Sequence, residues 1–433
     1  MASTQTMIAT AAALAVGMGC WLGLFLLDRR RPLAVPSLVA VALAAGLTCR
    51  LAWAFLTPVF YAPDEQAHFN YIKHLAERRA LPVLKSKLGD PSNEWEYSQP
   101  PLYYATLSPV YAVVEGLFHS QRAVVISLRL CSIALWLVNV RLALVLLKRL
   151  ELKEEFVHSF GVGMMCLLPT YTFISSVINN DNFLAAAGTG ILCLLAGRDR
   201  TLRGSCWLGL LLGVAFLAKQ SAVVFVPAIV VLAIFDARRG RITWLAALQH
   251  LAVALGIAAL IYAPWLGRNW RLYHIFTPEY LTTTRLPWPS LLEGMASAGH
   301  NLVKSFWAVS GMTNDVGYPF PLLGIALMAL CVMGQQAGMQ SGPRPGVLNL
   351  ARNGALFAAM LLAVGVNVLL VLRLGYLFGM GQGRHLFPLL VPITLVGAAG
   401  LRWLPVPRLP VHVIGFWLTY ALGFLVFSLG KFP

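Results

Sequence analysis

A chain of 433 residues that is 58% hydrophobic and only 12% charged, with a mean hydropathy of +0.71, is not that of a soluble globular protein; its repeated apolar runs have the length that a bilayer about 30 Å thick demands of spanning helices. A net charge of +16 would suggest nucleic acid in a soluble protein, but here the basic residues cluster in short loops between apolar runs, which sets membrane orientation, and no nucleic-acid partner is expected. The seven cysteines form no CxxC pair and sit in or beside apolar runs, so they read as small buried hydrophobes rather than metal ligands or disulfide partners.

The first run, near Met7 to Leu27, has an uncharged N-terminal flank and is followed by Arg29, Arg30 and Arg31, the reverse of a signal peptide's charge pattern. Its N-terminus is expected outside. A second run, near Leu33 to Leu56, exits at Thr57-Pro58 and so places Asp64 and Glu65 outside. Asp64 to Arg79 is expected to form an interfacial helix, and Pro101 to Phe118 a second one lying at the outer surface, because as a span it would invert everything after it. Further runs near 122–147, 157–178, 183–197, 205–218, 221–235, 243–264, 320–335, 354–372, 386–400 and 410–429 bring the expected total to about twelve, several short for a full span. The inside loops then carry Arg29 to Arg31; Lys148, Arg149 and Lys153; Arg198, Arg200 and Arg203; and Arg238, Arg239 and Arg241, as the positive-inside rule requires. The expected fold is an all-α polytopic membrane protein, one membrane domain over 1–433 with no separate soluble domain. It has long external regions at 57–121 and 264–318, the second with an amphipathic stretch from Ser290 to Trp307, and a flexible inside linker at Gln335 to Gly346. No convincing internal repeat is present.

The chemistry concentrates at the outer helix ends. In Tyr61-Ala62-Pro63-Asp64-Glu65-Gln66-Ala67-His68-Phe69 two adjacent carboxylates stand at a membrane boundary, where acids are costly, and Asp64 and His68 share a helix face at i, i+4 spacing. Acids after a proline in a helix's first turn also complement the macrodipole, a structural use that suits Glu65 better than a catalytic one. Asn179-Asn180-Asp181 ends the fourth run, and Lys219-Gln220 forms the tight outer turn between the sixth and seventh. Those spans are short, so Lys219 is expected below the interface, where a cation needs an anion or water. Gly381-Gln382-Gly383-Arg384-His385-Leu386-Phe387-Pro388 sets a guanidinium beside glycines, an arrangement suited to phosphate because the planar fork matches its oxygens and glycine permits close approach. Asp64, Glu65 and Asp181 could also gather around a divalent cation, if they meet in space.

These segments, together with Gln99-Pro100-Pro101-Leu102-Tyr103-Tyr104 and Ser305-Phe306-Trp307, follow an order that resembles bacterial members of the GT-C glycosyltransferase superfamily, over Leu33 to Gly400. The chain is most similar to a largely uncharacterised group with PDExAHF and QPPLYY signatures, related to the lipid A aminoarabinose and protein mannosyl transferases. The resemblance implies transfer of a sugar from a polyprenyl-phosphate donor to a glycan, glycolipid or protein acceptor on the outer side of a bacterial cytoplasmic membrane, with inversion of the anomeric centre. It implies Asp64 as catalytic base and Lys219 and Arg384 near the donor phosphate, while Glu65 and His68 are catalytic candidates from the reading of the residues above. Asp181, Gln220, His385, Tyr103 and Arg268 join the substrate-binding set; no cofactor is implied beyond the divalent cation already raised. Compared with those relatives, this chain is expected to have an extra N-terminal span and no soluble C-terminal domain, and it carries Arg384-His385 where Arg-Tyr is common. Two other readings stand beside it: a transporter or flippase of lipid-linked saccharide, and a surface-polysaccharide ligase or polymerase.

Overall fold

The computed structural model describes residues 4–85, 87–152, 155–197, 199–281, 283, 285–310, 320–340, 350–401 and 406–432. Among them every long element is an α-helix: α1 (Thr4–Arg30), α2 (Val35–Leu56), α3 (Glu65–Arg78), α4 (Leu102–Phe118), α5 (Gln121–Arg149), α6 (Glu155–Leu167), α7 (Pro169–Ile174), α8 (Asp181–Gly197), α9 (Leu202–Ala218), α10 (Phe225–Arg238), α11 (Trp244–Tyr273), α12 (Leu291–Trp307), α13 (Phe320–Gln340), α14 (Leu350–Phe378), α15 (Leu390–Leu401) and α16 (Leu409–Leu429). Short 3-10 turns at Trp95–Ser98, Gln220–Val224, Pro278–Leu281 and Gly383–Leu389 connect them. Several starts are set by a hydroxyl that accepts a bond from an otherwise orphaned N–H: Ser120 from Ala123, Thr201 from Gly204, Thr243 from Ala246 and Ser290 from Glu293.

Among the described residues, eight helical segments are long and apolar enough to cross a membrane. α6, α8, α9 and α13 occupy four further expected runs as shorter apolar helices, so the count of about twelve full spans expected from hydropathy is not established. Their shortness has local causes. Asp181 opens α8 and Lys219 closes α9, so the polar groups of the site end those helices early. α6 stops because the run near 157–178, expected as one span, breaks at Pro169. Proline brings no N–H, so the carbonyl of Met165 loses its helical donor. The Nε1 of Trp136 and the Nη2 of Arg50 donate to it instead, at 3.1 and 3.2 Å. Fully buried, Arg50 also donates to the Cys166 carbonyl at 2.6 Å and the Gly46 carbonyl at 3.0 Å, and lies 3.8 Å from the Trp136 ring. A buried guanidinium thus supplies the donors that the break removes, and the chain leaves α7 toward Asn179–Asp181.

The basic loops tie neighbouring helix ends together. Arg149 donates to the Cys193 carbonyl at the end of α8, Arg200 and Arg241 both bind Asp236, and Arg408 binds Asp28 beside Arg29 and Arg30. Lys153, Arg198 and residues 341–346 of the expected linker lie outside the described residues. Its first part, Gln335–Gln340, is not a linker but the last turns of α13. Elsewhere α3, the turn Trp95–Ser98, α4 and the first turns of α5 share a separate aromatic core of Phe69, Tyr71, Tyr97, Tyr103, Tyr104 and Tyr111. Tyr71 and Tyr104 stack with centroids 3.9 Å apart, an arrangement worth about 1 kcal/mol beyond area burial. The 57–121 region is therefore a packed cap. α4 packs on α3 and α5 and leaves Val113, Leu117 and Phe118 exposed, as suits an interfacial helix. α11 runs on through Pro264 to Tyr273, so the first ten residues of the expected 264–318 region are helical; residues 311–318 lie outside the described residues. All seven cysteines are free; Cys20 and Cys206 differ from the expectation of burial and face outward, because α1 and α9 expose one side at the rim of the bundle.

Candidate active site

Asp64 is the residue before the first turn of α3, in the left-handed region at φ 60° and ψ 1°, which aspartate tolerates better than most residues. A carboxylate there ordinarily caps the helix. Asp64 makes no side-chain cap bond; its Oδ2 instead accepts from Nη2 of Arg384 at 2.5 Å, across 320 positions of sequence. Lys219, the residue that ends α9, donates to Oδ1 of Asp181 at 2.6 Å and to Oδ1 of Asn180 at 3.2 Å. Oδ2 of Asp181 lies 3.9 Å from Nε of Arg384. Asp64, Arg384, Asp181 and Lys219 thus form one alternating chain of charges. Arg384 is 8% exposed, yet its Nε and Nη1 make no hydrogen bond to the chain. Two buried cationic donors without acceptors are costly and point to an anionic ligand.

The position of Arg384 follows from its neighbours. The backbone N–H of Gly383 donates to Oγ of Ser305 at 2.7 Å, and a Cβ at Gly383 would strike the backbone of Phe306. The open side of this glycine therefore serves the packing of the 3-10 turn on α12, rather than ligand approach as its spacing suggested. Asn179 accepts from the N–H of Asp181 at 2.8 Å and so opens α8, while Asn182 donates to the carbonyls of Ile174 and Val177 and fixes the bend after α7.

Asp64, His68, Lys219, Gln220, Arg384 and His385 line one cavity of about 510 Å³, within the range of small-molecule sites; Asp181 supports its wall from behind. Phe216 and, from α14, Leu370, Val371, Leu374 and Phe378 give it an apolar lining, and Glu96, Gln99 and Glu279, from the turns at Trp95–Ser98 and Pro278–Leu281, a polar one. Nδ1 of His68 lies 3.0 Å from the Tyr104 hydroxyl, which donates to Oε2 of Glu96 at 3.1 Å. Burial, with some repulsion from Lys219 and Arg384, pushes the imidazole down to about 3, so His68 is neutral at physiological pH. Burial pushes Asp64 up, but the Arg384 guanidinium and the other nearby cations outweigh it and hold its carboxyl below the usual range. It is ionised at neutral pH.

Three expected site residues are placed elsewhere. Glu65 points away from the cavity into a bidentate pair with Arg129, at 2.8 and 2.7 Å, with both side chains buried; adjacency in a helix separates side chains by about 100°. It also accepts from the N–H of Ile178 at 3.2 Å, so its oxygens are committed to structure. Arg268 stacks on Trp265 and donates to the Pro82 carbonyl, tying α11 to the segment after α3. Tyr103 is fully buried behind His68 and does not reach the cavity. Because Glu65 is held by Arg129, Asp64, Glu65 and Asp181 do not converge as the ligand set of a divalent cation, and among the described residues no three His, Cys, Asp or Glu side chains gather in such a set. Glu96 and Glu279 were not expected in the site. They lie in short polar turns without helical spacing or motif, so only the fold brings them to the cavity.

No family model matches the chain, and no curated protein matches it in sequence. Among solved structures, it is similar to ArnT from Cupriavidus metallidurans bound to undecaprenyl phosphate, at 13% identity and a TM-score of 0.46, over 92% of this chain and 78% of that one. It is also similar to an Archaeoglobus fulgidus oligosaccharyltransferase tethered with an acceptor peptide, at 12% identity and a TM-score of 0.47, over 90% of this chain and 55% of that one. A third is the oligosaccharyltransferase AglB of the same organism in complex with an inhibitory peptide and a dolichol phosphate, at 12% identity and a TM-score of 0.41, over 88% and 50%. TM-scores below 0.5 are too low to argue from, and the functional reading rests on the residues of the cavity.

Proposed function

We propose that this protein is a multi-pass glycosyltransferase of the bacterial cytoplasmic membrane that takes a sugar from a polyprenyl-phosphate donor and passes it to an acceptor on the outer side. The observation that carries this reading is the buried Arg384, with two donors unsatisfied by the chain, beside Lys219 in a cavity that α14 also lines with apolar side chains. A phosphodiester would take the free guanidinium donors, and its polyprenyl tail would follow the apolar wall of α14 toward the lipid. A lipid phosphate leaves as a stabilised anion and needs little acid catalysis. A fixed donor aimed at the developing charge is typically worth about 3–4 kcal/mol in a dry site. Asp64, ionised and 2.5 Å from Arg384, is the base that takes the proton of the acceptor hydroxyl. Attack from its side, opposite the phosphate, inverts the anomeric carbon. Phosphate bound at Arg384 would compete for the guanidinium and release the Asp64 carboxylate toward the acceptor.

Arg384→Ala and Lys219→Ala are expected to weaken binding of sugar-free polyprenyl phosphate by roughly tenfold or more each, since a charge-assisted bond is worth about 1.5–3 kcal/mol. Titration of the purified variants with that lipid checks this, and wild-type affinity in both would place the phosphate elsewhere. Sidedness is tested separately. In a background without the native cysteines, a cysteine at the exposed Asp90 is expected to react with an impermeant thiol reagent from outside, and one at the exposed Arg239 only after the membrane is opened. The reverse pattern would put the cavity on the inner side.

A further inference from the structure

The polar lining is a second feature of the cavity, and the phosphate reading does not use it. Glu96, Gln99, Gln220 and Glu279 form it, delivered by two 3-10 turns that pack on each other and by the turn after Lys219. Gln220 donates to Glu279, Asn180 donates to Oε1 of Gln99 at 3.4 Å, and Oε2 of Glu96 accepts from Tyr104. We propose that these four side chains form the subsite for the sugar ring of the donor, and that it takes a neutral, hydroxyl-rich sugar in preference to an amino sugar. The proposal rests on the reading of Arg384 and Lys219 as phosphate ligands.

Placement supports the first half. A sugar joined to a phosphate at Arg384 must lie beside Asp64, and Glu96 stands where Asp64, His68, Lys219 and Glu279 all act on it. Charge supports the second. Lys219 and Arg384 already face Asp64 and Asp181, and a lipid phosphodiester adds one more negative charge. Two further carboxylates would leave the cavity strongly anionic even with the cationic Arg373 on its lining. Burial, and for Glu96 also the neighbouring Asp64 charge, pushes Glu96 up to about 8; burial pushes Glu279, which faces Lys219, Gln220, Gln99 and Tyr262, up to about 7. Protonated carboxyls and carboxamides each donate and accept, which matches sugar hydroxyls. Sites built this way discriminate sharply against ligands that leave their groups unpaired.

The experiment compares, for detergent-solubilised full-length protein, affinity for polyprenyl-phosphate hexoses, for their 2-amino counterparts, and for sugar-free polyprenyl phosphate. Wild-type protein is expected to bind at least one neutral hexose lipid about tenfold or more tighter than the sugar-free lipid, and to gain nothing from the amino sugars. Glu96→Ala and Glu279→Ala are expected to lose that gain while keeping wild-type affinity for the sugar-free lipid, which also reports on folding. Glu96→Gln and Glu279→Gln are each expected to keep the gain near neutral pH, and the doubly substituted Glu96→Gln/Glu279→Gln protein, in which neither group can ionise, is expected to hold it above about pH 8, where the wild type loses it. A gain confined to amino sugars, no gain from any sugar, a gain that survives in both alanine variants, or glutamine variants as impaired as the alanine ones would overturn the sugar subsite. Failure of wild-type protein to bind the sugar-free lipid would instead overturn the phosphate reading beneath it.

Discussion

Asp64→Asn is expected to reduce transfer by at least 10²- to 10⁴-fold, the range a positioned proton acceptor contributes, while leaving the donor lipid bound. The substitution keeps the shape of the side chain and removes its charge. Arg384 then loses the carboxylate that holds it at 2.5 Å, so its guanidinium meets less competition for phosphate and donor affinity should stay level or rise. That pairing of outcomes separates a base from a donor ligand: loss of a phosphate contact would lower affinity and turnover together. Single-turnover transfer and lipid titration on the same preparation measure both. Wild-type turnover in Asp64→Asn would remove Asp64 from the chemistry.

Arg129→Ala is expected to destabilise the protein by about 3–5 kcal/mol, the usual cost of breaking a buried ion pair from one side. The guanidinium does more than neutralise Glu65. It donates to the carbonyls of Ala54, Thr57 and Pro58 at 2.8–3.0 Å, gathering the end of α2 and the first turn of α3, which positions Asp64. Glu65→Gln should likewise lower stability. In Glu65→Leu combined with Arg129→Met, much of the loss should return, because an apolar pair of similar volume carries no uncompensated charge. Denaturation midpoints in detergent, followed for all four proteins, test this. If Glu65→Gln were as stable as wild type yet inactive, Glu65 would belong to the chemistry.

Much of the bundle was legible because a bilayer leaves few alternatives: apolar runs must be helical, and the basic loops between them must share one side. The same economy made Asp64, Lys219 and Arg384 visible, since polar groups at the ends of apolar runs are few. What the chain could not display was direction. Asp64 and Glu65 are neighbours in sequence, yet one meets Arg384 and the other Arg129, a partner in the middle of the α5 run. Pro169 was a readable warning that the fourth run breaks, but the capture of its freed carbonyl by Arg50 depends on α2 packing against α6. Glu96 and Glu279 carry no periodicity and gain meaning only when two 3-10 turns meet at the cavity. Arg268 was expected among the substrate-binding residues within the 264–318 region, but Trp265 and Pro82 occupy it.

The central claim is that the sugar arrives on a membrane lipid, and donor choice in a reconstituted system tests it most directly. Purified protein in liposomes, offered an acceptor-containing envelope extract, should transfer labelled sugar from a polyprenyl phosphate. It should leave the matching nucleotide sugar untouched when no enzyme that charges the lipid is present. Transfer that requires the lipid, and disappears in Arg384→Ala, is the predicted result; robust transfer from the nucleotide sugar with no lipid intermediate would contradict it.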